Sequence, residues 1–268
     1  MNRMPRSTPR LFRPGSPVIP RLALVVAALA FGPAMPATAK PTMEEDVMFS
    51  AARAGNISLF LAMVKAGANP TARDAGGNTA LILAAQSDQP DMVREALSHS
   101  VDIDACGSLG MTALDIAAAH GAARSVERLL KAGADPSKPD RAGRSPLASA
   151  LRGSHDAIAL HLLAAGADPN VVDRDGIGPL HIAAERGSEE MTIALLEHGA
   201  DPNALDQDKR SPLFVALFTH HREVAEAIVR RHQTDLRLVT QGYPPEFWAQ
   251  QMGYDDIARS IGARIRRG

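Results

Sequence analysis

Alanine stands at Ala51, Ala84, Ala117, Ala150, Ala183, Ala216 and Ala249, one every 33 residues with no insertion or deletion between them. A fixed period of this length makes each interval one supersecondary unit that cannot bury its apolar face alone and must stack on its neighbours. Leu81, Leu114, Leu147, Leu180 and Leu213 precede five of the alanines by three residues, which puts each Leu and Ala on one face of a short helix. Gly67, Gly133, Gly166 and Gly199 fall on multiples of the same period, with Ser100 in the vacant place.

Each unit reads as two helices and a turn. Thr79, Thr112, Ser145 and Ser211 are hydroxyls placed to cap a first helix, and Pro146, Pro179 and Pro212 fit its first turn, where a missing N–H costs nothing. Gly55, Gly121 and Gly187 are placed to end it. A second helix is expected over Met191 to Gly199, and Pro90 suits the start of its equivalent. Segments such as Asp173 to Gly176 and Asp140 to Gly143 read as exposed turns joining units. A content of 45% hydrophobic but only 4% aromatic residues also favours closely packed short helices over a β-sandwich. The expected fold is an all-α repeat solenoid.

Through "NTALILAA", "MTALDIAAAHG", "RSPLASALRG", "GPLHIAAERG", "RSPLFVAL" and the "GADPN" and "GANPT" endings, the sequence resembles the ankyrin-repeat family. The resemblance implies stacked helix-turn-helix units at about 41–73 (an N-terminal cap), 74–106, 107–139, 140–172, 173–205, 206–238 and 239–268 (a C-terminal cap). Both ends turn polar as capping units should: Glu44, Glu45 and Asp46 at one, and Gln250, Gln251, Asp255 and Asp256 at the other.

Residues 1–39 are built like an export signal. Arg3, Arg6, Arg10, Arg13 and Arg21 precede the apolar run Leu22 to Phe31, which is shorter than the about 20 residues that span a bilayer, and Ala37 and Ala39 suit cleavage before Lys40. The expectation is a periplasmic protein with domain 40–268, in contact with a membrane only if the segment is retained. Cleavage removes five of 29 basic residues and none of the 30 acidic ones, so the formal charge moves from −1 to −6. That balance gives no electrostatic footprint for nucleic acid, and Arg264, Arg266 and Arg267 read as a solvated tail. Cys106 is the single cysteine, which leaves no intramolecular disulfide and reads as a small loop residue.

Chemistry-bearing patterns are sparse. His181 shares its column with Ile82, Asp115, Ala148 and Phe214, so the position tolerates groups that cannot do acid–base work. The resemblance implies that its ring bonds neighbouring loops together. Gly178 takes the place of the capping hydroxyl in that unit. His220 and His221 are adjacent, and neighbours on a helix would point apart, so the pair reads as a polar helix junction; no His-Glu-x-x-His, phosphate-binding loop or Gly-x-Ser-x-Gly elbow is present. Neither an enzyme, a cofactor, a metal nor a small-molecule substrate is expected.

A solenoid instead offers a long concave face of turn tips and first-helix side chains. The candidate partner-binding residues there are Leu109, Met111, Arg144, Arg174, Ile177 and Arg210 at the tips, and Phe218 where other units carry Gln86, Ala119, Arg152 and Glu185. Packing of Phe218 against Trp248 in the cap is the competing placement. The expected function is a non-enzymatic module that binds a protein. The family resemblance extends to short exported proteobacterial members, some of which resemble accessories to oxidative-stress enzymes such as catalase. An immunity or inhibitor protein acting on a basic toxic enzyme and a structural envelope spacer are the alternatives.

Overall fold

The computed structural model describes residues 41–107 and 109–267. The chain divides into two units, Met1–Ala39 and Lys40–Gly268; the export segment and its cleavage point after Ala39 lie outside the described residues.

The described residues form an α-helical stack. The first helices of successive units are α1 Met43–Ala54, α3 Ala80–Gln86, α5 Ala113–His120, α7 Pro146–Arg152, α9 Pro179–Arg186, α11 Pro212–Phe218 and α13 Pro245–Gln251. The second helices are α2 Ile57–Lys65, α4 Pro90–Ser98, α6 Ala123–Lys131, α8 Asp156–Ala164, α10 Glu189–Glu197, α12 Arg222–Arg230 and α14 Asp255–Arg267. First helices pack on first helices and second on second along the whole stack. The seven periodic alanines sit at these seams and are each at most 1% exposed. A methyl group lets neighbouring backbones approach, and the periodic leucines fill the space beside it in one continuous core. This is the all-α repeat solenoid that the period predicts.

Local chemistry starts the helices as expected. The hydroxyls of Thr79, Thr112, Ser145 and Ser211 accept the backbone N–H three residues on, at 3.2–3.4 Å. α9 has no capping hydroxyl; His181 Nδ1 instead accepts the Gly178 N–H at a long 3.4 Å, so only the return half of a capping box is present. α10 begins at Glu189, two residues before the expected Met191, because Ser188 accepts the Met191 N–H and caps it there. First helices end on a left-handed residue at Gly55, Gly121 and Gly187, but the same column holds Asp88, Ser154 and His220, also with positive φ.

The turns stand on aspartates. Asp173 Oδ1 accepts the N–H groups of Asp175 and Ile177, and the Asp173 N–H donates to the Ile177 carbonyl. Asp74 and Asp140 repeat the pattern. Successive tips are joined by Arg141 N–H to Leu109 O, Arg174 N–H to Ala142 O and Gln207 N–H to Asp175 O, at 2.9–3.2 Å, so the tips form a ladder along the stack.

Two readings at the C-terminus need correcting. Ala249 keeps its register only because two length changes cancel. The N–H that bonds the preceding unit is on Asp201 in one unit and on Asp235, 34 residues later, in the next. The following turn then closes by mutual bonds between Thr240 and Tyr243 through two positive-φ residues, Gln241 and Gly242, one residue shorter than the aspartate turns. Nor is Arg264 part of a solvated tail, whereas Arg266 and Arg267 are exposed. They lie on α14, and Arg264 Nη2 donates to the Arg231 carbonyl at 2.9 Å, capping chain that α12 leaves open.

Candidate binding surface

Six of the eight aromatic side chains among the described residues gather in the last two units: Phe214, Phe218, Tyr243, Phe247, Trp248 and Tyr254. Phe218 stacks on Phe214 at 5.6 Å between centroids, and Phe214 meets the Trp248 ring edge-on at 5.1 Å. Tyr243, Phe247 and Trp248 continue the cluster. The indole N–H of Trp248 donates to the Thr240 carbonyl at 2.9 Å, which fixes the ring by the short C-terminal turn.

Phe214, Phe218 and Trp248 wall a pocket of about 510 Å³ between first helices and turn tips. Ile177, Phe214, Val215, Phe218 and Trp248 supply its apolar lining; Glu185, Asp206, Arg210, Gln241, Thr219 and His181 supply the polar groups. A cavity of this size, mostly apolar with a few convergent polar groups, suits one or two side chains of a partner.

The charges follow a rule. Each turn aspartate is matched by one arginine, drawn either from the preceding first helix or from its own turn. Arg53 reaches Asp74 at 2.8 Å and Arg152 reaches Asp173 at 2.9 Å; Arg144 pairs with Asp140 and Arg210 with Asp206, both at 2.7 Å. The Arg210 guanidinium also meets Asp208 at 3.2 Å. Its bond to Asp206 raises its pKa further above the usual arginine value, and the paired Asp140 carboxyl is held below the usual carboxylate range.

His181 sits at the base of the pocket and is buried. Its Nδ1 accepts the Gly178 N–H, so Nε2 carries the proton and donates to the Arg210 carbonyl of the next turn at 3.0 Å. Burial pushes its pKa down, which keeps the ring neutral in that arrangement. The residue ties two units together, in the role the family resemblance implies.

The structure brings Ile177, Arg210 and Phe218 together at this pocket and leaves the other expected residues elsewhere. Phe218 is 58% exposed although it stacks on Phe214, so it is not tucked under the cap. Arg210 lines the wall with its head held by aspartates. Leu109 is 63% exposed on its tip, with Met111 half-buried beside it. Arg174 is exposed on the next-but-one tip, and Arg144 is held by Asp140. Cys106 is a free, half-buried thiol whose carbonyl accepts from Arg73.

Sequence reasoning missed Glu185, Phe214 and Trp248 as members of the site. Glu185 was legible, because it occupies the column one period before Phe218. Trp248 was not, since its position depends on how the shortened turn folds over α11. Among the described residues no group of three or more His, Cys, Asp or Glu could hold a metal ion, and no helix is long and apolar enough to cross a membrane.

With the stack, the turn ladder and the concave pocket in view, relatives can be placed. A three-copy profile of ankyrin repeats matches residues 48–140 and 146–239. The B-cell lymphoma 3 protein homolog of Mus musculus is 39% identical over 94 residues, 33% of this chain and 21% of that protein. The human B-cell lymphoma 3 protein is 36% identical over 99 residues, 35% of this chain and 22% of its own. The match thus spans about a fifth of the length of these curated relatives. Repeats of this kind generally serve as non-enzymatic scaffolds for protein–protein interaction. The chain belongs to the ankyrin-repeat family and carries a protein–protein interaction module.

Proposed function

We propose that the chain is an exported, periplasmic module that seats a protein partner on its concave face, with Phe218 as the central anchor, and that it serves as an accessory to an envelope or oxidative-stress enzyme. The observation that carries the binding site is Phe218 itself, a phenyl ring left 58% exposed at the mouth of an aromatic-walled pocket. Ile177 extends the apolar surface, and the exposed tips with Leu109, Met111 and Arg174 provide a rim further along the turn ladder. Support for export is the basic, apolar and small-residue order of residues 1–39. The acidic balance that remains, a formal −6, also suits an inhibitor that covers the active site of a basic toxic enzyme.

Site-specific photocrosslinking in living cells tests the reading, with the crosslinking phenylalanine analogue in place of Phe218 and, as control, in place of the exposed Arg94 on α4. The expected result is one adduct of defined mass at 218 and none at 94, lost when Ile177→Arg is added. No adduct at 218 sinks it, and the adduct's identity separates enzyme accessory from toxin inhibitor. Intact mass from the osmotic-shock fraction should begin at Lys40; full-length chain in the membrane fraction would indicate a tethered spacer instead.

A further inference from the structure

The repeat contains its own example of how a cation is held on this face. In one column of the first helices, Arg53 and Arg152 reach across to the turn aspartate 21 residues later, Asp74 and Asp173. Glu185 stands in the same column, one period after Arg152, and Asp206 is the aspartate 21 residues after it. Asp206 takes its arginine from its own turn, and the Glu185 carboxylate has no hydrogen-bond or ion-pair partner among the described residues. Glu185 and Asp206 thus share the pocket wall with one guanidinium, that of Arg210, whose head also meets Asp208 outside the lining, and the wall is left with an excess of negative charge.

Next to that carboxylate stand Phe218, one period on in the same column, and behind it Phe214 and Trp248. Aromatic faces beside an unpaired carboxylate favour a cation carried on an apolar stem, and a guanidinium best, because it is planar, weakly hydrated and stacks on rings. We propose that Glu185 and the Phe214–Phe218–Trp248 wall receive an arginine side chain of the protein partner, its stem along the rings and its head on the carboxylate. The proposal rests on the binding-module reading above and names the chemistry of its anchor.

Trp248 is the single tryptophan of the chain, so its fluorescence reports on this pocket directly. The full chain is titrated at low ionic strength with benzamidinium, an aromatic amidinium probe, and with benzamide, its neutral isostere. Saturable binding of benzamidinium is expected, about tenfold tighter than benzamide, which corresponds to ~1.4 kcal/mol. Glu185→Gln should abolish that preference while benzamide binding persists, and Glu190→Gln on α10 should change neither. Affinities within roughly twofold of each other, a preference that survives Glu185→Gln, or no response to either probe overturns the cation site. A crosslinked partner at residue 218 without cation preference sinks this proposal and leaves the binding module standing. Cation preference with no crosslinked partner overturns a protein as the source of the cation.

Discussion

Asp115 occupies a column of the first helices in which Ile82, Ala148, His181 and Phe214 are also buried. One of its oxygens accepts the Ser149 hydroxyl at 2.9 Å and the other has no partner, and burial pushes its pKa up to about 7. The folded chain therefore holds this proton over a range in which the unfolded chain has released it. Its contribution to stability is present below pH ~4 and is lost as pH rises towards 7. Asp115→Asn removes the titration, and its stabilising effect should be about 2–3 kcal/mol larger at pH 8 than at pH 5. Urea unfolding at the two values checks this; an equal effect at both would place the proton elsewhere. His181 works in the opposite sense. Its folded pKa is lowered, so protonation of the unfolded chain removes stability as pH falls below ~6.5. The period aligned these residues in one column, but the burial that perturbs Asp115 and the carbonyl that meets His181 required the neighbouring unit.

The turn is the element on which the concave face depends. Its aspartate, its positive-φ residue and its tip-to-tip bond recur at fixed spacing, and the positive-φ place holds Gly176 in one unit and Lys209 in the next. A Cβ on Gly176 would come within 3.0 Å of the Asp206 Cα and would need φ of +76°. Gly176→Ala should therefore cost about 2 kcal/mol or more and loosen the ladder between these tips. Lys209 already carries that strain at φ 57°, and Lys209→Gly should stabilise by up to about 1 kcal/mol. Thermal unfolding of the two variants should move in opposite directions; a common sign would refute the assignment of strain to this column. The aspartate-to-glycine spacing announced these turns, whereas the bonds between tips come only from stacking.

For the whole molecule, the last unit both caps the stack and completes the pocket. α13 and α14 cover α11 and α12, and α13 brings Trp248 against Phe214. Deleting residues 232–268 should strip amide-exchange protection from α11 and α12 and leave α3 to α6 protected, because each unit is stabilised chiefly by its neighbours. Uniform loss along the chain would show the array to be a single cooperative block. Phe218 should lose its stacked setting in the same truncation, and with it crosslinking to the partner.

The sequence by itself determined the period, the helix starts, the buried alanine and leucine columns and hence the solenoid, because these are local or nearest-neighbour demands that every unit repeats. It also marked Phe218 as the aromatic exception in its column, without deciding between an exposed ring and one packed against Trp248. Only the tertiary structure decided which exposed residues form a site. The grouping of Ile177, Glu185, Arg210, Phe214, Phe218 and Trp248 depends on a two-residue turn that offsets an added residue after α12, and on ion pairs that commit Arg144 and Arg210 while leaving Glu185 open. Such features arise from contacts between units, and a column read along the sequence contains no term for them.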